Sequence, residues 1–302
     1  MEKIWTKLAG ELADASGEAG KSIVGVHGAR HFSSAIVIAA DVVIGASHAV
    51  RRDDEITVVT APGQTLAARV AGRDPGTDLV VLRVQEPLNA PVARWGSTSG
   101  LRVGELVLAL ARTRRGNVVA SSGIISGLIN APLRTWRGGE IDQFIRPDVT
   151  FYPGFSGGPL VNSQGEFLGM NTAGLHRSGI TVPSSTVARI SAELMEKGHV
   201  ERPYLGLAMQ AVPVPESLRS RLNLKASEAL LLVHAEPKSP AEKAGLLLGD
   251  LLLTLDGKPV ADTDSVQEIL RARKPGDRIE AALVRGGVQT TLTVQLEARS
   301  RR

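Results

Sequence analysis

From Ser22 onward the hydrophobic positions fall in short, β-branched runs separated by glycine, aspartate or proline. Six runs occupy residues 23–27, 35–39, 42–44, 56–60, 66–70 and 79–84. After a turn-rich stretch over 85–99, six more occupy 106–110, 118–125, 141–145, 159–161, 167–171 and 180–182. Short strands at such spacing predict two all-β units of similar size. Ahead of them, Ile4, Trp5, Leu8 and Leu12 recur at helical spacing. They predict a short amphipathic helix over 4–13, ended by Ser16-Gly17-Glu18-Ala19-Gly20. Trp5 is its candidate oligomer contact, because tryptophan is over-used as an interface anchor. Ser184 and Ser185 read as caps of a closing helix, with Val187, Ile190 and Leu194 as its stripe and Gly198 at its end.

The pattern changes again at Arg202. Strands are expected over 204–208, 230–234 and 251–255. A short helix lies between the second and third, with Ser239 at its cap, Pro240 at its first position and Gly245 beyond its end. Asp256-Gly257 is a turn signal. Residues 264–273 are helical, with Val266, Ile269 and Leu270 on one side, and Gly286-Gly287 joins two alternating runs into a hairpin. The expected organisation is a helix over 1–20, two β units over 21–186, a linker helix over 187–201 and an α+β module over 202–297.

Composition narrows the chemistry. Aromatics make up 3% of the 302 residues, and glycine is frequent at 32, which suits small-residue β structure. There is no cysteine, so disulfides, thiolate metal sites and cysteine nucleophiles are excluded. The 35 basic and 31 acidic residues leave a net charge of +4, much of it in the tail Arg299-Ser300-Arg301-Arg302. That reads as a solvated end, and no nucleic-acid partner is expected. No apolar run approaches the ~18 residues of a membrane span. The first eight residues lack a continuous apolar stretch. We therefore expect a cytoplasmic protein, or else a processed form of a periplasmic or extracellular one.

One stretch carries nucleophile chemistry: Gly154-Phe155-Ser156-Gly157-Gly158-Pro159-Leu160. Glycines let backbone N–H groups approach a substrate closely, and a serine attacking a carbonyl needs such donors for the oxyanion. The bland alternative is a tight turn that contains a serine. A base and a carboxylate decide between them. Of the six histidines, His48 follows an apolar strand and small residues, in Val42-Val43-Ile44-Gly45-Ala46-Ser47-His48, so its ring can face a cleft. His31 and His176 lie in charged loop-like stretches, and His27 and His234 sit at strand ends. Asp74 precedes Pro75-Gly76 as a turn former. Asp78 opens an apolar strand, and a carboxylate buried there needs a partner such as an imidazole N–H. The order His48, Asp78, Ser156 is that of chymotrypsin, with the first two in one β unit and the serine in the other.

At this point the chain resembles the HtrA (Deg) family of serine proteases. The resemblance rests on Ser47-His48-Ala49-Val50, Asp74-Pro75-Gly76-Thr77-Asp78-Leu79, Leu101-Arg102-Val103-Gly104-Glu105, Pro153–Leu160, the run 165–172, the run 179–184 and Tyr204-Leu205-Gly206-Leu207. It implies a mainly β fold, a chymotrypsin-like double β-barrel followed by an α+β PDZ domain. It implies an ATP-independent serine endopeptidase that hydrolyses unfolded or damaged proteins. Ser156 is then the nucleophile, His48 the general base and Asp78 its orienting carboxylate, and the N–H groups of Gly154 and Ser156 form the oxyanion hole. The primary specificity pocket falls between the loop before Ser156 and residues 171–181, where nothing charged is an obvious base, so small or medium apolar residues are expected to fit. Tyr204, Leu205, Gly206 and Leu207 would capture a peptide C-terminus, with Leu205, Leu207, Val266 and Leu270 around its side chain. For these four, ordinary core packing is the competing reading. No metal or cofactor is implied, and a homotrimer is.

Three departures stand out. Phe155 occupies a position where the family has asparagine or a similar polar residue. Phe32-Ser33-Ser34-Ala35 replaces a glycine-rich strand start, and the loop over 173–179 is short. Phe155 is what supports the alternative, a latent pseudo-protease or a chaperone-like peptide-binding scaffold.

Overall fold

A computed structural model describes residues 2–28, 32–50, 55–61, 63–136, 138–176 and 178–298. His31 and the basic tail over 299–302 lie outside them. The chain forms two compact units, Met1–Val200 and Glu201–Arg302.

The first unit holds two closed six-stranded barrels. In the first, Ile23–His27, Phe32–Ala39, Val42–Ala46, Leu79–Val84, Thr65–Asp74 and Ile56–Val59 pair antiparallel in that order and close on themselves. In the second, the order is Phe144–Pro147, Ile180–Pro183, Phe167–Thr172, Pro159–Val161, Leu106–Arg112 and Val118–Ile129. Closure removes sheet edges, so short strands of small β-branched residues form a stable unit without a large aromatic core. Val24, Val26, Val37, Val43, Val58 and Leu82 are among the residues filling the first barrel. Val107, Ala109, Ile125, Ile145 and Leu160 help fill the second. A third cluster joins the two: Ile36, Ile44 and Leu79 from one barrel meet Leu110, Val161 and Phe167 from the other, under Val187, Ile190 and Leu194 of the helix Ser184–Lys197. Each such fully buried side chain contributes about 1.5–3 kcal/mol. The cleft between the barrels is therefore set by packing, and any group displayed at it is held rigidly.

The sequence reading places eleven of these twelve strands within a few residues. The run 141–145 divides instead. Glu140–Ile141 pairs with Leu133–Arg134, and Phe144–Pro147 joins the barrel. The first helix is longer than its stripe over 4–13 and runs as Glu2–Gly20, through the Ser16–Gly20 segment. Tertiary contacts override the Ser-Gly breaker: Ala15 and Ala19 are buried, and the Arg112 guanidinium donates to the Gly20 carbonyl at the helix end. Trp5 is 69% exposed on this helix. The serines do not cap the later helix. Pro183 is its extended N-cap, and Ser184 Oγ donates to the Gly96 carbonyl at 2.9 Å. Gly198 ends it in the left-handed conformation, φ +75°.

The second unit is a sheet in the order Leu207–Pro213, Glu228–Ala235, Leu251–Leu255, Arg278–Arg285, Val288–Gln295, with Lys258–Pro259 beside the middle strand. The run 204–208 breaks at Gly206: Pro203–Tyr204 pairs with Glu297–Ala298, and Leu207 starts the edge strand. The helix Glu216–Leu222 is absent from the sequence reading because it buries no residue and so shows no apolar stripe. Ser239 caps Pro240–Lys243 through Glu242 N–H. Asp262 caps Thr263–Arg271 through Ser265 N–H. Gly286 and Gly287, φ +56° and +79°, supply the two left-handed positions of a tight hairpin.

Asp250 ties this unit together. Its two oxygens accept from Arg285 at 2.8 and 2.7 Å, and Oδ2 also accepts the Leu247 N–H at 2.8 Å. Burial pushes its pKa up, but the hydrogen bonds from Arg285 and Leu247 outweigh that and hold it below the ordinary carboxylate value. A depressed carboxylate contributes stability above its unfolded pKa of ~4 and loses it as pH falls through the folded value. Asp250→Asn is expected to destabilise the unit by about 2 kcal/mol at neutral pH, read from urea midpoints. The deficit relative to wild type should shrink on acidification below pH ~4.

Candidate active site

The first barrel delivers His48 and Asp78. Ser47–Ala49 forms one short 3₁₀ turn after the strand Val42–Ala46. Asp78 sits just before the strand Leu79–Val84, fully buried, with φ +59°, a left-handed conformation that aspartate tolerates. The two segments are stapled by backbone: Ser47 N–H donates to the Asp78 carbonyl at 2.8 Å and His48 N–H to Asp78 Oδ1 at 2.9 Å. Asp78 Oδ2 then lies 2.6 Å from His48 Nδ1 and also accepts from Thr172 Oγ1. The carboxylate therefore has a partner on each oxygen. This fixes the imidazole with Nδ1 protonated and leaves Nε2 as the nitrogen that can accept a proton. Asp74 has the turn-forming role expected of it, accepting from Gly76 and Thr77 N–H groups at 3.1 Å and from Thr77 Oγ1 at 2.7 Å.

The second barrel delivers the serine. Ser156 lies in the loop before the strand Pro159–Val161. The glycines after it are steric requirements. A Cβ at Gly157 would lie 2.0 Å from the Ser34 carbonyl oxygen, and one at Gly158 would lie 2.1 Å from that of Leu110. Ahead of it, Phe155 N–H donates to the Tyr152 carbonyl at 3.1 Å, closing a turn whose third residue is Gly154 at φ +97°. Only glycine takes that position readily, as in a type II turn. Ser34 Oγ donates to the Gly154 carbonyl at 2.8 Å while accepting Arg112 N–H at 2.9 Å, so the loop's acceptor is satisfied from the first barrel. The N–H groups of Gly154 and Ser156 have no hydrogen-bond partner among the described residues. Phe155 does not enter the cleft. It is 2% exposed, enclosed by the second-barrel core with Leu101, Val107 and Leu160. Its bulk fills the barrel rather than the loop that holds Ser156.

Ser156 Oγ accepts the Ala173 N–H at 3.3 Å and, among the described residues, makes no hydrogen bond to His48. Such contacts are commonly loose before a substrate tightens them. The sequence reading missed Thr172 and Gly174 as site residues. Thr172 reads as one more buried strand position. Gly174 reads as a loop glycine, yet a Cβ there would lie 2.6 Å from His48 Nδ1 and 2.7 Å from Asp78 Oδ2.

In the second unit, Leu205, Val266 and Leu270 are buried and Leu207 is partly buried, all in one core cluster. Gly206, φ +78°, has Ser239 so close that a Cβ would lie 2.2 Å from it. The Leu205 and Gly206 N–H groups have no partner among the described residues. Among the described residues, the strand Leu207–Pro213 is hydrogen-bonded on one side only.

Comparison with known proteins agrees with this architecture. A trypsin-like peptidase domain family matches residues 33–170, and a PDZ domain family matches residues 204–296. A serine protease Do-like HtrA of Lactobacillus helveticus is 33% identical over 265 residues, covering 83% of this chain and 64% of that protein. The chain joins a trypsin-like peptidase domain to a PDZ domain and is similar to HtrA serine proteases. A probable periplasmic serine endoprotease DegP-like of Ectopseudomonas mendocina (strain ymp) is 32% identical, over 89% of this chain and 56% of its own length. Among solved structures, an HtrA-type protease AlgW with tripeptide superposes with a TM-score of 0.70 at 27% identity, covering 96% of this chain and 98% of that one. The chain thus spans between about half and two thirds of the curated HtrA relatives it matches. These relatives also correct one expectation. Several are named periplasmic endoproteases, which overturns the cytoplasmic reading. That reading rested on the first residues of the sequence, which carry no weight in the question.

Proposed function

We propose that this HtrA-like chain is an ATP-independent serine endopeptidase of the periplasm or cell exterior that cleaves unfolded polypeptides. The observation that carries the reading is the Asp78–His48 pair at 2.6 Å beside Ser156, with two unpartnered N–H groups in the loop that holds the serine. Ser156 Oγ attacks the peptide carbonyl as His48 Nε2 takes its proton. Gly154 and Ser156 N–H groups receive the oxyanion, and the protonated imidazole returns the proton to the leaving amine. Water activated by His48 then hydrolyses the acyl-enzyme. Each step uses a group already in the cleft, and none calls for a nucleotide. The primary pocket lies between the loop before Ser156 and residues 171–181, and takes small or medium apolar side chains. The protein works as a homotrimer.

The second unit binds peptide C-termini. The carboxylate sits on the Leu205 and Gly206 N–H groups, and the peptide adds as a strand beside Leu207–Pro213 against the helix Thr263–Arg271. Its last side chain packs near Leu207, with Leu205, Val266 and Leu270 forming the floor.

The test of the protease reading is a permanently unfolded protein offered beside its folded form, without nucleotide and with a metal chelator. The unfolded form should be cut and the folded one spared. Equal inertness toward both would refute the reading. For the second unit, deleting residues 202–302 should abolish micromolar binding of peptides with free apolar C-termini, a loss of about 8 kcal/mol of binding free energy. Unchanged affinity would remove the assigned role.

A further inference from the structure

Ser156 has two flanks. On one, the strand Phe167–Thr172 runs out into Ala173 and Gly174, which approach Ser156 Oγ and His48. On the other, Ser34 N–H donates to the Ser156 carbonyl at 3.1 Å, and Phe32 at the start of the same strand packs beside Gly154, whose Cβ would lie 3.4 Å from its ring. A cavity of about 420 Å³ opens on this second flank, lined by Phe32, Ala111, Arg112, Thr113, Arg114, Val119 and Pro153. Pro153 adjoins Gly154 in the chain, so the cavity begins one residue from the loop that holds the nucleophile. It shares no lining residue with 171–181, where the primary pocket is placed.

The lining has a definite chemistry. Phe32, Val119, Pro153 and Ala111 give it apolar walls. Arg112 is committed elsewhere: its guanidinium is buried on the carbonyls of Gly20, Ile23 and Gly116. Arg114 is different. It is exposed at the turn after Leu106–Arg112, and its guanidinium lies 5.7 Å from the centroid of the Phe32 ring. No carboxylate pairs with it among the described residues. The ring face orients the cation at the cavity mouth without neutralising it. His27, tilted against Phe32 at 4.8 Å, adds no competing negative charge.

We infer that the Phe32–Arg114 cavity is a substrate subsite for an acidic side chain within the first three residues on the leaving-group side of the cut. The inference rests on the proposed protease activity. A polypeptide whose acyl part lies along Ala173–Gly174 must pass its leaving part over Phe32. There the stem of an aspartate or glutamate meets the ring, Val119 and Pro153, and its carboxylate reaches the Arg114 guanidinium. The subsite takes no part in bond-making. It selects which peptide bonds reach Ser156, and it is built where the strand start Phe32-Ser33-Ser34-Ala35 departs from the family's glycine-rich pattern.

The test maps cuts in an unfolded protein substrate by mass spectrometry, for wild type, Arg114→Ala and Arg114→Glu, with Ser156→Ala as blank. Matched peptides carrying Glu or Lys at the selected position then give kcat/KM ratios. Wild type should enrich Asp and Glu within three residues after the cut and favour the Glu peptide by ~5-fold, as for a partly exposed ion pair. The ratio should fall to about one in Arg114→Ala, invert in Arg114→Glu, and shrink in wild type at ~1 M salt. Cuts without acidic enrichment, enrichment before the cut, or a preference that survives Arg114→Glu would overturn the subsite while leaving the protease reading intact. Absence of any Ser156-dependent cut would overturn both.

Discussion

Ser156→Ala is expected to lower turnover of an unfolded protein by about 10⁶-fold, with the folded structure unchanged. The size follows from how the cleft is assembled. His48 is oriented by Asp78, and its work as a base has no substrate without the serine hydroxyl. In the proposed mechanism, removing the one atom that attacks leaves a base and an oxyanion loop with nothing to activate. The substitution is structurally mild. Among the described residues the hydroxyl receives a single N–H, from Ala173, at 3.3 Å, and an alanine methyl fits where a serine Cβ already stands. Melting temperature should therefore stay within a degree or two while activity disappears. The check is single-turnover cleavage of a labelled unfolded substrate, with circular dichroism on the same samples.

The second large effect belongs to Asp78. Asp78→Asn should cost about 10⁴-fold in kcat. The carboxylate takes His48 Nδ1–H on Oδ2 and His48 N–H on Oδ1, with Thr172 Oγ1 also on Oδ2. An amide must put its NH₂ either at the Oδ2 position, facing the imidazole and the threonine together, or at the Oδ1 position. Toward the imidazole, it selects the tautomer with the proton on Nε2, and the base toward Ser156 is lost. Turned the other way, it opposes the backbone N–H of His48. Gly174→Ala probes the same pair without altering its chemistry. A methyl 2.6 Å from Nδ1 and 2.7 Å from Oδ2 must push the two apart, so a loss of ~10²–10³-fold in kcat is expected with the triad residues all present. Stopped-flow kinetics across pH 6–9 separates the cases. Asp78→Asn should recover partly at high pH as hydroxide deprotonates the serine, whereas Gly174→Ala should not.

Much of this was legible in the sequence, and the boundary is a physical one. Barrel strands show because closed barrels bury short runs of small β-branched residues between glycine and proline turns. Ser156 shows because Gly157 and Gly158 are forced by close backbone approach, which leaves a recognisable string. Asp78 shows because a carboxylate opening a buried strand demands a partner. What stayed hidden depends on contacts far apart in the chain. The first helix runs on to Gly20 because Ala15 and Ala19 are buried and Arg112, 92 residues later, closes its end. Thr172 and Gly174 belong to the site because a strand of the second barrel ends over a carboxylate of the first. Phe155 is the sharpest case. In the sequence its bulk beside the serine supports the latent alternative, and in the structure the ring turns inward, since a large apolar ring has more to gain in the core than at the cleft.

The measurement that bears most directly on the account is stoichiometric labelling with a fluorophosphonate, followed by peptide mapping. The phosphonyl group reacts with an activated serine hydroxyl and places its oxygen where the oxyanion would form, so it reports the nucleophile and the Gly154–Ser156 donors together. The account predicts about one phosphonyl group per chain, on Ser156, lost in His48→Ala and strongly slowed in Asp78→Asn. An unlabelled Ser156 in protein that is folded and competent to bind unfolded chains would contradict it and favour the peptide-binding scaffold.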